Sequence, residues 1–259
     1  MKLISLNIWG GKAFEPLLEF IGAHRDSTDI FCFQEVFKSS SNVRVNRGVR
    51  TNILDDFSRT LSDFCSYFAP AQDGFDNDGP VDFEISTGLA TFVRKTVSVE
   101  SWESLFVCGE RNSARGDDPT TLPANMLCGR FVHQGKSFVV CNLHGVAYSG
   151  TKLDTEQRLE QSRKIRRFLD QEHGAKILCG DFNLMPDTNA MKILEENLEN
   201  LIEKFQIPRT RSTLTPYHGM PQEQKFADYI LVSSDVRVTN FQVPEIDISD
   251  HLPMILEFL

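Results

Sequence analysis

No stretch of this 259-residue chain approaches the ~20 consecutive apolar residues that a membrane span requires. The start, Met1-Lys2-Leu3-Ile4-Ser5-Leu6-Asn7-Ile8-Trp9, has too short an apolar stretch and no small-residue cleavage site for a secretory signal. A soluble, cytoplasmic protein is the expectation. Basic residues are in deficit, with 27 Lys and Arg against 36 Asp and Glu and a net charge of −9. The excess acid is spread along the chain rather than gathered in a tail, which argues against tight, sequence-independent binding to long nucleic acid. The six cysteines include no Cys-x-x-Cys pair and no His at zinc-finger spacing. Cys32, Cys141 and Cys179 lie inside apolar, strand-like runs, so free core thiols in a reducing compartment are expected. No Pro/Gly-rich linker or shift in composition divides the chain, and one domain over residues 1–259 is the economical reading.

What is present alternates between two periodicities. Residues 2–9 read as a strand, Phe14, Leu17, Leu18 and Ile21 as one helix face, and Asp29 to Phe33 as a strand ending in Gln34-Glu35. A second helical face runs through Ile53, Leu54, Phe57, Leu61 and Phe64, and Ala71 to Glu84 reads as a surface loop. Strands follow at 88–93, 97–107, 126–132 and 137–143, the last two joined by a hairpin turn at His133-Gln134-Gly135-Lys136. Between the strands at 97–107 and 126–132, Gly109 to Pro123 reads as a long polar loop, and its Arg111, Asn112 and Arg115 are either contacts for a substrate phosphate, whose geometry Arg matches, or ordinary solvated loop residues. Asp154 with Gln157 signals a helix start, and Lys176 to Cys179 is a buried strand running into Gly180-Asp181-Phe182-Asn183. A helix around 190–197 and strands at 226–232, 236–243 and 253–258 complete the chain. The runs Asp29 to Glu35 and Lys176 to Asp181 are loosely alike, which hints at two sheets packed face to face.

Acids, amides and imidazoles are poor packing residues, yet they recur at the ends of these strands. Asn7, Glu35, Asn142 with His144, Asp181 with Asn183, and Asp228 hold such places, and Asp250-His251 precedes the last strand. Strand ends are where an α/β sheet exposes side chains to a crevice while holding them rigidly.

In this order and spacing the motifs resemble the endonuclease/exonuclease/phosphatase superfamily, from Leu6-Asn7-Ile8-Trp9-Gly10 through Gln34-Glu35, Asn142-Leu143-His144 and Gly180-Asp181-Phe182-Asn183 to Ala227-Asp228-Tyr229 and Ser249-Asp250-His251. The resemblance covers the whole chain. It implies an α/β fold of two mixed β-sheets packed face to face with helices outside, a four-layer α/β/β/α sandwich. It also implies hydrolysis of phosphate esters with Mg²⁺ or Mn²⁺. By the same resemblance Glu35, with Asn7 and Asp250, would hold the metal, since hard cations of this kind take carboxylate and amide oxygens. Asp181 would activate water, Asn183 would place it, and His251, braced by Asp228, and His144 would stabilise developing charge. Glu84 is a candidate to orient His144.

The substrate class stays open at this point. Abasic-site endonucleases usually carry Asp two residues after the amino-terminal Asn and Trp three before the Asp of the Asp-Tyr pair, whereas this chain has Trp9 and Lys225. Asn7-Ile8-Trp9-Gly10 looks more like the sphingomyelinase-like and bacterial branches. The leading expectation is a monomeric, metal-dependent phosphoric ester hydrolase, a phosphodiesterase or phosphatase, whose phosphate-ester substrate is a small or lipid-derived phosphodiester. The alternatives are an endo- or exonuclease of the same fold and a catalytically inactive binding module, and the intact set of motif residues speaks against the last.

Overall fold

The computed structural model describes residues 1–115, 118–221 and 223–259. Twelve strands build two large sheets: β1 Lys2–Asn7, β2 Ile30–Lys38, β3 Phe64–Asp73, β4 Ser86–Arg94, β5 Ser98–Cys108, β6 Ala124–His133, β7 Lys136–His144, β8 Ala175–Asp181, β9 Glu199–Asn200, β10 Asp228–Val232, β11 Val238–Gln242 and β12 Met254–Phe258. The first sheet runs β11-β12-β1-β2-β4-β3 and the second β9-β10-β8-β7-β6-β5. Each has a single parallel pair, β1 with β2 and β7 with β8, among antiparallel neighbours. The expected likeness of the halves is therefore real, because β2 and β8 each have a parallel neighbour on one side and an antiparallel one on the other.

The helices α1 Phe14–His24 and α2 Ile53–Thr60 cover the first sheet, where Leu17, Ile21, Ile53 and Phe57 join Ile4, Phe31 and Phe33 in one buried cluster. Helix α3 Glu156–Gln171, with α4 Asn189–Glu195 and the one-turn α5 Leu201–Lys204, covers the second. The architecture is the α/β/β/α sandwich expected from the sequence. Both faces of each sheet are covered, so the central strands are apolar throughout rather than alternating. The exception is a polar thread between the sheets: Gln34 Nε2 donates to Asn142 Oδ1 at 2.7 Å and to Ser5 Oγ at 3.4 Å, and Asn142 Nδ2 reaches Phe33 O at 3.2 Å. Asn142 thus joins the two sheets and stays out of the cleft.

Several expectations shift. Phe64 begins strand β3 rather than extending the second helical face, and β3 takes in Ala71 to Asp73 of the expected loop. The hairpin at Gln134-Gly135 is borne out, with both residues at positive φ, 51° and 78°, as a primed turn requires. Thr155 rather than Asp154 caps α3, accepting from Arg158 N at 3.2 Å, while Asp154 caps α4 through Asn189 N and Ala190 N at 2.8 and 2.9 Å. Cys141, expected as a free thiol, forms a disulfide with Cys128, because the antiparallel register of β6 and β7 sets them opposite each other. Cys32, Cys65, Cys108 and Cys179 are free. No helix of the described residues is long and apolar enough to cross a membrane.

Candidate active site

Residues two apart in a strand share a face. Following Leu3 and Ser5, Asn7 therefore leaves β1 on the face turned toward the other sheet, and His144 and Asp181 follow Asn142 and Cys179 in the same way. The register then aligns them, since His144 stands beside Asp181 across the parallel pair and Asp228 beside Asp181 across the antiparallel one. Gly180 allows this close approach: its φ is +133°, and a Cβ there would lie 2.1 Å from Leu143 O.

Glu35 arrives differently. The expected strand end at Gln34-Glu35 is in fact a bulge within β2, where the register against β4 slips between Phe33 and Val36 and Glu35 takes a positive φ of 55°. Simple alternation would turn Glu35 away from Gln34's face. The bulge re-aims it, and Glu35 Oε1 accepts from Asn7 Nδ2 at 3.0 Å while its Oε2 accepts from Asn77 at 2.8 Å.

These side chains meet at Asp181, whose Oδ2 lies 3.0 Å from Asn7 Nδ2, 3.7 Å from His251 Nε2 and 3.8 Å from His144 Nε2. Its Oδ1 accepts from Asn183 N at 2.9 Å. Burial works to raise the Asp181 pKa, but His251, Lys152, His144 and Arg211 outweigh it and hold the carboxyl well below the ordinary range. Asp181 is therefore ionised at any physiological pH. Behind it Asp228 clamps His251 Nδ1 at 2.7 Å. Burial and Arg211 pull the His251 pKa down, yet Asp228, Asp250 and Asp181 carry it above its usual value, favouring the protonated ring. Burial raises the Asp228 pKa.

All eight predicted residues come together. Glu35, His144, Asp181, Asn183, Asp250 and His251 line a cleft of about 600 Å³, with Asn7 and Asp228 buried beneath them. Asp250 pairs with Arg211 through Oδ2 at 3.1 Å, which leaves its Oδ1 for a ligand. The loop candidates do not take part. Arg111 and Asn112 are tied to Asp73, at 2.9 Å each, and Arg115 is exposed outside the cleft lining. Glu84 bonds Ser40 through its carboxylate instead of orienting His144.

Two cations were missed. Arg211 is buried, pairs with Asp250 and contacts the His251 ring. Lys152 is equally buried, with its ammonium on Asn183 Oδ1. Each sits in a polar loop with no period to read. The one signal for either was negative: a basic residue among strong turn formers, in a chain short of basic residues.

The site also has donor sets suited to a cation. Asp181, Asp228 and His251 bring one ligand atom each within 4.8 Å of one another, a buried group that could hold a metal ion. Nearer the cleft, Glu35 and Asp181 crowd two carboxylates onto one amide, both at 3.0 Å from Asn7 Nδ2, and such paired anions beside a neutral donor fit a hard divalent ion.

A family model, that of the Endonuclease/Exonuclease/phosphatase family, matches residues 4–251. This chain belongs to that family. Among curated protein sequences none matches it. Among solved structures it resembles a mannosyl-6-phosphatase of Bacteroides thetaiotaomicron at 19% identity and TM-score 0.71, covering 100% of this chain and 99% of that one. A family protein of Beutenbergia cavernae matches at 15% identity and TM-score 0.74, covering 100% of this chain and 71% of that one. D. rerio TDP2, complexed with a single-strand DNA product, matches at 14% identity and TM-score 0.66, covering 100% and 98%. At such identities the likeness is one of fold, which is the two-sheet sandwich described above.

Proposed function

We propose that this chain is a divalent-metal-dependent phosphoric ester hydrolase. The observation that carries the reading is the convergence on Asp181 Oδ2, where Asn7, His144 and His251 arrive from three other points of the two sheets. No packing or folding requirement explains burying an ionised carboxylate among so many polar groups, and perturbed clusters of this kind belong to sites of chemistry.

Glu35 and Asn7, with Asp250, would hold the ion, Mg²⁺ or Mn²⁺. When bound, such an ion supplies charge neutralisation at the phosphoryl oxygens. Asp181 orients the attacking water in line with the leaving oxygen and takes its proton as the new O–P bond forms. Its low proton affinity makes it a weak base, so its main contribution is orientation and the withdrawal of that proton late in the step. Asn183 Nδ2 now donates to Gly145 O at 3.2 Å, and its amide lies on the cleft wall where it can place the water or a phosphate oxygen. His251, held by Asp228 with Nε2 directed at the Asp181 side, donates to a non-bridging oxygen as negative charge builds there. His144 does the same from the end of β7, the strand beside that of Asp181. In this scheme the ester bond breaks as the water oxygen bonds phosphorus, and the products are phosphate or a monoester and an alcohol.

The neighbours' names include both a sugar phosphatase and a protein bound to DNA. The net charge of −9 favours a compact substrate over a long polyanion. The test is hydrolysis across a panel of 4-nitrophenyl phosphate, bis(4-nitrophenyl) phosphate, sugar phosphates, sphingomyelin, supercoiled and abasic DNA, and RNA, with Mg²⁺ or Mn²⁺ and again with EDTA. Turnover of at least one ester that EDTA abolishes is expected. Absence of metal-dependent turnover on every member of the panel would overturn the assignment.

A further inference from the structure

Lys152 is the unexplained group of this cleft. Its relative exposure is only 7%, and its ammonium lies in the cleft wall beside Asn183. Among the described residues it has no carboxylate within the 4.0 Å of an ion pair, and Asn183 Oδ1 is its single hydrogen-bond partner. An ammonium carries three donors. Burying one that is so poorly compensated is unfavourable, and burial does push the Lys152 pKa down, with Asp181 opposing.

The loop that delivers it is nevertheless rigidly built. Arg158, fully buried on α3, donates to Val146 O at 3.2 Å, Ala147 O at 3.2 Å, Ser149 O at 2.5 Å and Leu153 O at 2.8 Å. Gln161 Oε1 accepts from Val146 N at 2.7 Å, and Met185 N donates to Lys152 O at 2.9 Å. Lys152 itself takes a positive φ of 57°, a conformation that costs a non-glycine residue and persists where its surroundings impose it. The two buried cations differ in how they are satisfied. Arg158 is a buried cation satisfied by four carbonyl oxygens, whereas Lys152 is a buried cation held in place with donors to spare and an open cleft in front of it.

We infer that Lys152 is a phosphate-binding residue of this site, and that with Arg211 it selects a terminal phosphomonoester over a phosphodiester. This deepens the proposed phosphoesterase reading and rests on it for the reaction. Lys152 stands beside Asp181 on the Asn183 side and Arg211 on the His251 side. A phosphoryl group seated at Asp181 therefore lies between two fixed cations. A monoester dianion has three unsubstituted oxygens to offer them and twice the charge of a diester, whose second ester group would occupy one of these positions with an oxygen that carries no charge.

The experiment measures inorganic phosphate binding by calorimetry and by thermal shift, and kcat and KM on 4-nitrophenyl phosphate and bis(4-nitrophenyl) phosphate. It uses the wild-type chain and Lys152→Met, Lys152→Gln and Lys152→Arg. The wild-type chain is expected to bind phosphate and to be stabilised by it. The two neutral variants should bind phosphate at least tenfold more weakly and lose at least tenfold more kcat/KM on the monoester than on the diester, with Lys152→Arg retaining most of both. Equal losses on the two esters with unchanged phosphate binding would show that Lys152 only positions Asn183 and would overturn the inference. So would a wild-type chain that phosphate does not stabilise, an outcome readable even if the neutral variants fail to fold. Phosphate binding that depends on Lys152 in a chain that hydrolyses no ester would uphold the binding role while refuting the phosphoesterase reading.

Discussion

Two polar loops of this molecule carry arginines near the cleft, and they put them to opposite uses. Arg111, in the Gly109–Pro123 loop, has a side chain 51% exposed and rests on Asp73, itself 35% exposed. Arg211, in the segment leading to Pro221, has a side chain only 8% exposed, pairs with the equally buried Asp250 and touches His251. An exposed ion pair is screened by water and contributes ~0–1 kcal/mol. A guanidinium in the desolvated floor acts on every charge around it, and it appears among the groups that hold Asp181 ionised. Residue type and loop character are the same in both places. Burial alone separates a surface tie from part of the candidate site.

The sharpest test of the floor is removal of its central groups. Asp181→Asn or His251→Ala is expected to lower kcat by a factor of at least ~10², on general acid–base grounds, with the secondary structure by circular dichroism unchanged. Full activity in either variant, in the same assay that detects the wild type, would show that the chemistry lies elsewhere. The comparison itself is tested next. Arg211→Ala should cut kcat/KM by about a hundredfold, the low end of the range that mutagenesis gives for a charge-stabilising donor. Steady-state kinetics showing an effect no larger than that of Arg111→Ala would erase the distinction between the two loops.

A pH effect of intermediate size follows from His251. Its folded pKa lies above the ordinary 6.5, so the stability it contributes is fully present below that value and is lost as pH rises through the folded pKa. Asp228→Asn removes one of the carboxylates that raise it. The variant should therefore be more destabilised at about pH 6 than at about pH 9, as denaturant melts at the two pH values would show, and the alkaline limb of its rate profile should move to lower pH. The smallest effect is expected at the surface: Arg111→Ala should change stability by no more than about 0.5 kcal/mol and leave kcat/KM as it was.

Much of the candidate site was legible from the chain because it is built on strand ends. A buried strand shows itself as an apolar run, and an Asp, Asn or His at its end is conspicuous against that background, as with Asp181 after Lys176 to Cys179 and His144 after Ser137 to Leu143. Glu35 reaches the candidate site by a geometry other than the expected one, since the strand does not end there but bulges and continues to Lys38. Asp154 shows a similar limit. Its spacing to Gln157 suggests a cap on the nearest helix, but its carboxylate reaches across the fold to cap α4.

The sequence by itself determined the alternation of strands and helices, the two-sheet sandwich and the strand-end residues that mark the site. The alternation follows from periodicity, a property of neighbours along the chain, while the sandwich and the site are what the family resemblance carried by the order of the motifs implies. Only the tertiary structure decided that Cys128 faces Cys141 closely enough to bond, that Glu35 is turned onto Asn7, and that Lys152 and Arg211 are the basic residues buried in the cleft while Arg111 is not. The physical reason is common to all of them. Register, burial and local dielectric are set by what the fold brings together, and a residue takes its charge environment from partners far along the chain, as Asn7 and Asp181 are 174 apart.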